Sequence, residues 1–267
     1  MQRFMTVDCE EWFHAANVDC AAWDGLQQTV HENTMRLLEL FARYGTTATF
    51  FTLGDVALKH PQLIETIANA GHGIASHGFG HKSVFTLTQE EFKQTVVNSK
   101  QILEQTSGKK VTGYRAPNFS ITAQSLWALD ILTGCGYTMD SSIAPIANYR
   151  YGISGSPVEI HTRRTSAGML HEVPVSPLAP LRNIAMLGGF YFRVFPVATA
   201  LRTIEANERD SRHSCFYIHP WEVATLPHDA RIPSRFQSVR MRHNLSATMQ
   251  KMEAMLREFR FTAISIP

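Results

Sequence analysis

No run of apolar residues in the 267-residue chain approaches the ~18 that a membrane-spanning helix needs. Cysteine is scarce. Its four copies, Cys9, Cys20, Cys135 and Cys215, are scattered without a Cys-x-x-Cys pair. That spacing suits reduced cytoplasmic thiols better than a disulfide framework. Charged residues make up 18%, below the ~25% typical of globular chains. The chain is therefore not disordered by charge. Lys and Arg number 25 against 23 Asp and Glu, a net charge of +2. So small an excess gives no case for nucleic acid or an anionic membrane surface. Internal repeats and low-complexity tracts are absent. The N-terminus, Met-Gln-Arg-Phe-Met-Thr-Val-Asp8, turns acidic at once. The expectation is no signal peptide and a cytoplasmic location.

What is present is enough apolar material for one core. Hydrophobic residues make up 44%. At this length roughly three quarters of the unfolded surface can be buried. Strand-like and helix-like patterns alternate. Strands are expected at Arg3–Val7, Ala48–Leu53, Gly73–Ser76, Val111–Arg115, Tyr137–Asp140, Leu170–Val175, Cys215–Ile218 and Phe261–Ile266. Helices are expected from Asn33 to Tyr44, from Pro61 to Gly71, from Thr88 toward Thr106 and from Thr122 to Leu132. Two more are expected over Pro196–Ala206 and along Leu245, Met249, Met252, Leu256 and Phe259. Thr88-Gln-Glu-Glu91 is a capping-box pattern. Asn33 and Thr122 are candidate caps. Such alternation predicts parallel β-α units closing into a (β/α) barrel of seven to eight strands. Residues 1–267 read as one domain, with 220–267 as a C-terminal extension packed on the barrel.

Polar residues cluster at predicted strand ends: Asp8, His77, Arg115, Asp140 and His219. In a barrel these ends meet at one mouth, so residues far apart in sequence converge. His77-Gly-Phe-Gly-His81 spaces two imidazoles to reach one ion if the segment turns helically. Gly78 and Gly80 would let the backbone approach. Alone, the pair also fits two unrelated surface histidines. Strand alternation puts Asp8 and Glu10 on one face and Cys9 and Glu11 on the other. One carboxylate would complete a metal set and the other act as a base; alone, the tetrapeptide is also an ordinary acidic loop. Phe216-Tyr-Ile-His219 ends in a histidine that would equally serve as a core residue. Gly188-Gly-Phe-Tyr-Phe-Arg193 reads either as a loop offering aromatic faces to a sugar or as a core strand after a turn.

Taken in order, Thr-Val-Asp8-Cys-Glu10, Ser-His77-Gly-Phe-Gly-His81, Arg115-Ala-Pro117, Tyr-Thr-Met-Asp140-Ser-Ser and Tyr-Ile-His219 resemble the polysaccharide deacetylase family. This is the NodB-homology domain, or carbohydrate esterase family 4. Glu172-Val-Pro, Gly188–Arg193 and His219-Pro-Trp-Glu look like its bacterial subgroup tied to exopolysaccharide and surface-glycan synthesis. The resemblance implies a distorted barrel and a divalent metal, commonly Zn2+, with Co2+, Ni2+, Mn2+ or Fe2+ as other occupants. It implies Asp8 as base, His77 and His81 as metal ligands, Arg115 as the residue orienting the base, and His219 as general acid. Asp140 falls near the position that tunes that histidine. Most members have a second Asp beside the first; here Cys9 stands there. The third ligand is then Glu10, with Cys9 or Glu11 as alternatives. Candidate sugar contacts are Pro117, Phe190, Tyr191, Arg193 and Trp221. The implied reaction removes an N-acyl group, acetyl first of all, from an amino sugar that is oligomeric, lipid-linked or nucleotide-linked. A formamide or ureide amidase and a non-catalytic glycan-binding barrel are the alternatives.

Overall fold

A computed structural model describes residues 2–147, 151–179, 181 and 185–266. Residues 148–150, 180 and 182–184, inside the stretch that the sequence leaves hardest to read, lie outside the described residues. Eight strands form one sheet: β1 (Arg3–Cys9), β2 (Ala48–Thr52), β3 (Gly73–Ser76), β4 (Gly113–Tyr114), β5 (Met139–Asp140), β6 (His161–Thr165), β7 (Gly168–Glu172) and β8 (Ser214–Ile218). Their spatial order is β6-β7-β5-β4-β3-β2-β1-β8. Every pairing is parallel except β6 with β7. β1 lies between β2 and the edge strand β8, with Val7 opposite Phe50 of β2 and Ile218 of β8. β2 and β8 are buried along their whole lengths, as parallel strands covered on both faces must be.

The described helices are α1 (Trp12–Ala15), α2 (Val30–Arg43), α3 (Gly54–Lys59), α4 (Pro61–Asn69), α5 (Gln89–Ser107), α6 (Trp127–Gly134), α7 (Gly189–Val194), α8 (Val197–Arg209), α9 (Arg235–Arg242) and α10 (Thr248–Glu258). Leu37 and Phe41 of α2, Ile64 and Ile67 of α4, and Phe92 and Val96 of α5 pack with Phe50 of β2 in the main core. Met252, Met255 and Leu256 bring α10 into the same core. The capping box of α5 forms as expected: Thr88 Oγ1 accepts from Glu91 N–H, and Glu91 Oε2 accepts from Thr88 N–H.

The sheet curls but closes irregularly. Past β7 the chain crosses to β8, where Ser176 N–H donates to Cys215 O at 3.1 Å and Gly188 bridges Tyr217. No ladder joins β7 to β8 among the described residues. The expected barrel is thus present in distorted, half-closed form. Its strand ends nonetheless point one way, which gathers Asp8, His77, Arg115, Asp140, Glu172 and His219 at one mouth.

Several local expectations are corrected. Asn33 does not cap α2; it lies inside the first turn, buried. The buried helix start needs an acceptor, and the Glu11 carboxylate provides it, accepting from Thr29 and Val30 N–H at 2.8 and 2.9 Å. Thr122 lies well before α6, which begins at Trp127. The 261–266 segment is extended but makes only a single bridge, Phe4 to Thr262. Residues 189–194 form neither loop nor strand but the short helix α7. Strand β6 and helices α3 and α9 carry no marked apolar period, so the sequence hides them.

Candidate active site

Thr6, Asp8 and Glu10 share one face of β1 and its extension, as strand alternation requires. Arg115 follows β4 and is wholly buried. Its Nη1 donates to Asp8 Oδ1 at 2.7 Å and to Thr6 Oγ1 at 2.9 Å. Its Nε and Nη2 donate to Ser141 O and Oγ at 3.2 and 2.8 Å. The guanidinium also lies over the Phe51 ring, 4.1 Å from its centroid. With every edge engaged, Arg115 holds Asp8 in a single orientation. The free oxygen, Asp8 Oδ2, stands 3.8 Å from His219 Nε2.

Glu10, His77 and His81 offer ligand atoms all within 4.8 Å of one another. Glu10 Oε2 lies 2.7 Å from His81 Nε2 and 3.8 Å from His77 Nε2. The 77–81 segment is not helical. Gly78, at φ +77°, and His81, at φ +56°, bend it instead, and Gly78 O and Phe79 O accept from Gly54 and Asp55 N–H at the start of α3. Gly80, unlike Gly78, does not take a positive φ. His77 Nδ1 lies 2.8 Å from Arg115 O, a group that can only accept. That contact puts the proton on Nδ1 and the lone pair of Nε2 toward Glu10. Burial holds the His77 pKa down at about 4, so the ring is neutral at pH 7. Glu10, despite its burial, is held at about 2 by His81 and the neighbouring histidines. Glu10 Oε2 is buried, and a carboxylate held this close to the Nε2 atoms of two buried imidazoles is a donor set that fits a divalent cation.

The other two ligand alternatives do not reach this set. Cys9 faces the opposite side of β1, with Sγ 3.9 Å from Thr34 Oγ1. Its burial pushes the thiol pKa up to about 12, so it stays protonated. The Glu11 carboxylate is used on α2.

Asp140 is corrected. It does not meet His219. Ser142 Oγ donates to its Oδ1 at 2.5 Å, and its other neighbour is the buried carboxyl of Glu172. Burial, then the charge of Asp140, raises the Glu172 pKa well above its ordinary value. The partner of His219 is Glu222, three residues on: Nδ1 to Oε2 is 2.7 Å. Arg193 Nε in turn donates to Glu222 Oε1 at 2.6 Å. Burial opposes protonation of His219, but Glu222 and then Glu10 and Asp8 outweigh it and raise its pKa to about 9. The same contacts hold Glu222 at about 2 against the effect of burial. The His219 ring stacks on Trp221, with centroids 5.3 Å apart and an interplanar angle of 26°.

Asp8, Glu10, His77, His81, His219 and Glu222 line one cavity of about 320 Å³ together with Phe190, Arg193 and Trp221. Pro117 and Tyr191 are outside its lining. Pro117 is buried, and Tyr191 packs against the core. The reason is helical phase: α7 places Phe190 and Arg193 on one face and turns Tyr191 and Phe192 away. Gly188 and Gly189 permit this approach. A Cβ on Gly188, whose φ is +137°, would stand 2.1 Å from Tyr217 O. The sequence reading missed Glu222 as the histidine's partner, although its i+3 spacing was a signal. It also missed Thr6 and Ser141, small polar residues that only the packed structure links to Arg115.

Residues 22–139 match the polysaccharide deacetylase family profile, and residues 141–266 match a domain of unknown function, DUF3473. Residues 22–139 carry a polysaccharide deacetylase domain. Its boundary with the DUF3473 match falls at the end of β5, inside the sheet. A peptidoglycan-N-acetylglucosamine deacetylase of Bacillus cereus is 30% identical over 100 residues, 37% of this chain and 36% of that protein. The match thus spans about a third of that relative's length. Among solved structures, the deacetylase domain and its partner region resemble a Mycobacterium smegmatis protein assigned to the polysaccharide deacetylases (TM-score 0.62, 20% identity, 100% of this chain and 93% of that one). Puue allantoinase is also similar (TM-score 0.65, 12% identity, 99% and 86%). At these identities the structural likeness is one of fold.

Proposed function

We propose that this polysaccharide deacetylase domain and its DUF3473 partner form one catalytic unit. That unit is a metal-dependent hydrolase removing an N-acyl group, acetyl in the first instance, from an amino sugar of a bacterial surface polysaccharide or its precursor. The observation that carries this reading is the pairing of Asp8 with His219 at 3.8 Å beside the Glu10–His77–His81 set. The first match supplies His77, His81 and Arg115; the second supplies Arg193, His219 and Glu222. The four free thiols suit a reducing cytoplasm.

Glu10, His77 and His81 would hold the ion, and a His-His-carboxylate set is typical of catalytic zinc. Bound there, zinc supplies Lewis-acid polarisation and lowers the pKa of water. Asp8 Oδ2 takes the proton of the attacking water, while Arg115 keeps the carboxylate aimed. Protonated His219 donates to the departing nitrogen, which would otherwise leave poorly. Glu222, fixed by Arg193, holds His219 in the charged form that this step needs.

The test is acetate release from N-acetylated chitooligosaccharides, with formamide and ureide substrates alongside. Release that a chelator stops, and that falls ~10²–10⁴-fold in Asp8→Asn and His219→Ala, is expected. Saccharide binding without release under any divalent metal would overturn the reading in favour of a glycan-binding barrel.

A further inference from the structure

Three carboxylates line the cavity, and each is engaged. Asp8 pairs with Arg115, Glu222 with Arg193 and His219, and Glu10 faces the two histidines. Arg240, on α9, lines the same cavity and differs from the other two arginines. It has no carboxylate partner among the described residues. Its guanidinium lies over the Phe190 ring, 4.9 Å from the centroid. That contact holds the group in place without neutralising it.

The position of Arg240 is built. Arg193 Nη1, on the guanidinium that braces Glu222, also donates to the carbonyls of Arg240, Met241 and His243. The same side chain that fixes the His219 partner therefore fixes the end of α9. The surrounding sequence is basic as well. Between Ala224 and Gln250 there are four arginines, at 231, 235, 240 and 242, against one acid, Asp229. The hydroxyls of a neutral sugar offer such a guanidinium single, uncharged acceptors; an oxyanion offers a charged, bidentate one that binds it more strongly.

We propose that Arg240, backed by Phe190, is an anion subsite. It selects an amino-sugar substrate that carries a negative charge, a carboxylate or a phosphate, away from the N-acyl group. The proposal rests on the hydrolase reading above for the identity of the reacting group, but not for the binding of the anion.

The experiment compares three probes: N-acetylchitotriose, its carboxylated C6-oxidised form and its 1-phosphate. Calorimetry gives Kd and acetate release gives kcat/KM for the wild type, Arg240→Ala and Arg240→Lys, each at low and high salt. The wild type should favour an anionic probe by about tenfold to a hundredfold, the range of one charge-assisted contact. Arg240→Ala should erase that preference. Arg240→Lys should keep part of it, since charge remains but the fork is lost. High salt should shrink it. A preference confined to the phosphate or to the carboxylate names the source of the charge. Equal binding of neutral and anionic probes by the wild type would overturn the subsite, as would an anion preference unchanged in Arg240→Ala. An Arg240-dependent preference with no acetate released would leave the subsite standing and overturn the hydrolase reading.

Discussion

The two sides of the cavity are built by different means. The Glu10–His77–His81 side hangs on strand ends. β1 and β3 are regular, and a short loop clamped on α3 completes the set. The His219 side is assembled from packing. One strand end supplies the histidine, but its orientation needs Glu222, Arg193 from α7, the glycine pair before it and the carbonyls closing α9. A satellite cluster of Trp12, Phe13, Trp221, Leu226, Met241 and Leu245 fixes that side from beneath. Short-range geometry is therefore decisive on one side and long-range burial on the other.

The comparison is most directly broken on the strand side. His77→Ala should remove metal and activity together while the fold persists. Metal analysis should find close to one ion per chain in the wild type and close to none in the variant. Full metal content with His77 gone would remove it from the ligand set.

The packing side should respond through stability first. Arg193→Ala removes one of the two cationic partners of the buried Glu222 carboxylate, leaving His219, and should cost up to ~3 kcal/mol, the lower end for a broken buried pair. Denaturant titration should show it as a fall in midpoint. An unchanged midpoint would mean that the ion pair does not hold this side together. Glu222, held at about 2 rather than its usual 4.5, contributes stability fully above pH 4.5 and loses it as the pH falls toward 2.

Glu222→Gln sharpens the comparison through pH. His219 sits at about 9, so it is protonated below that value and loses its proton as the pH rises through it. Without the Glu222 charge its pKa drops, and the alkaline limb of kcat/KM should move to lower pH. A limb that stays in place would assign the titration to another group. The smallest effect belongs to Thr88→Ala, far from both sides. It removes the Oγ1 cap of α5 and should cost ~1 kcal/mol, read as a modest drop in Tm with kcat/KM retained.

Particular residues show how much was legible beforehand. Asp8, His77, Arg115 and His219 stood at predicted strand ends in the sequence, and the fold brings these four to one mouth. Strand alternation by itself also separates Glu10 from Cys9. Asp140 failed because β5 is only two residues long and its end turns into Ser141 and Ser142, which face Arg115 and Ala116 instead. Tyr191 failed because 189–194 is helical, and six residues after two glycines give too short a window for a period to show.

By itself, the sequence determined the alternation of strands and helices, the common mouth of the strand ends and the residue types of the reacting groups. These follow from local periodicity and from parallel β-α geometry, which the chain carries in short windows. Only the tertiary structure decided which acid meets His219, which side chains anchor Arg115, and that Arg240 faces the cavity without a carboxylate partner. Those choices depend on burial and charge pairing between segments far apart in the chain, and no local pattern encodes them.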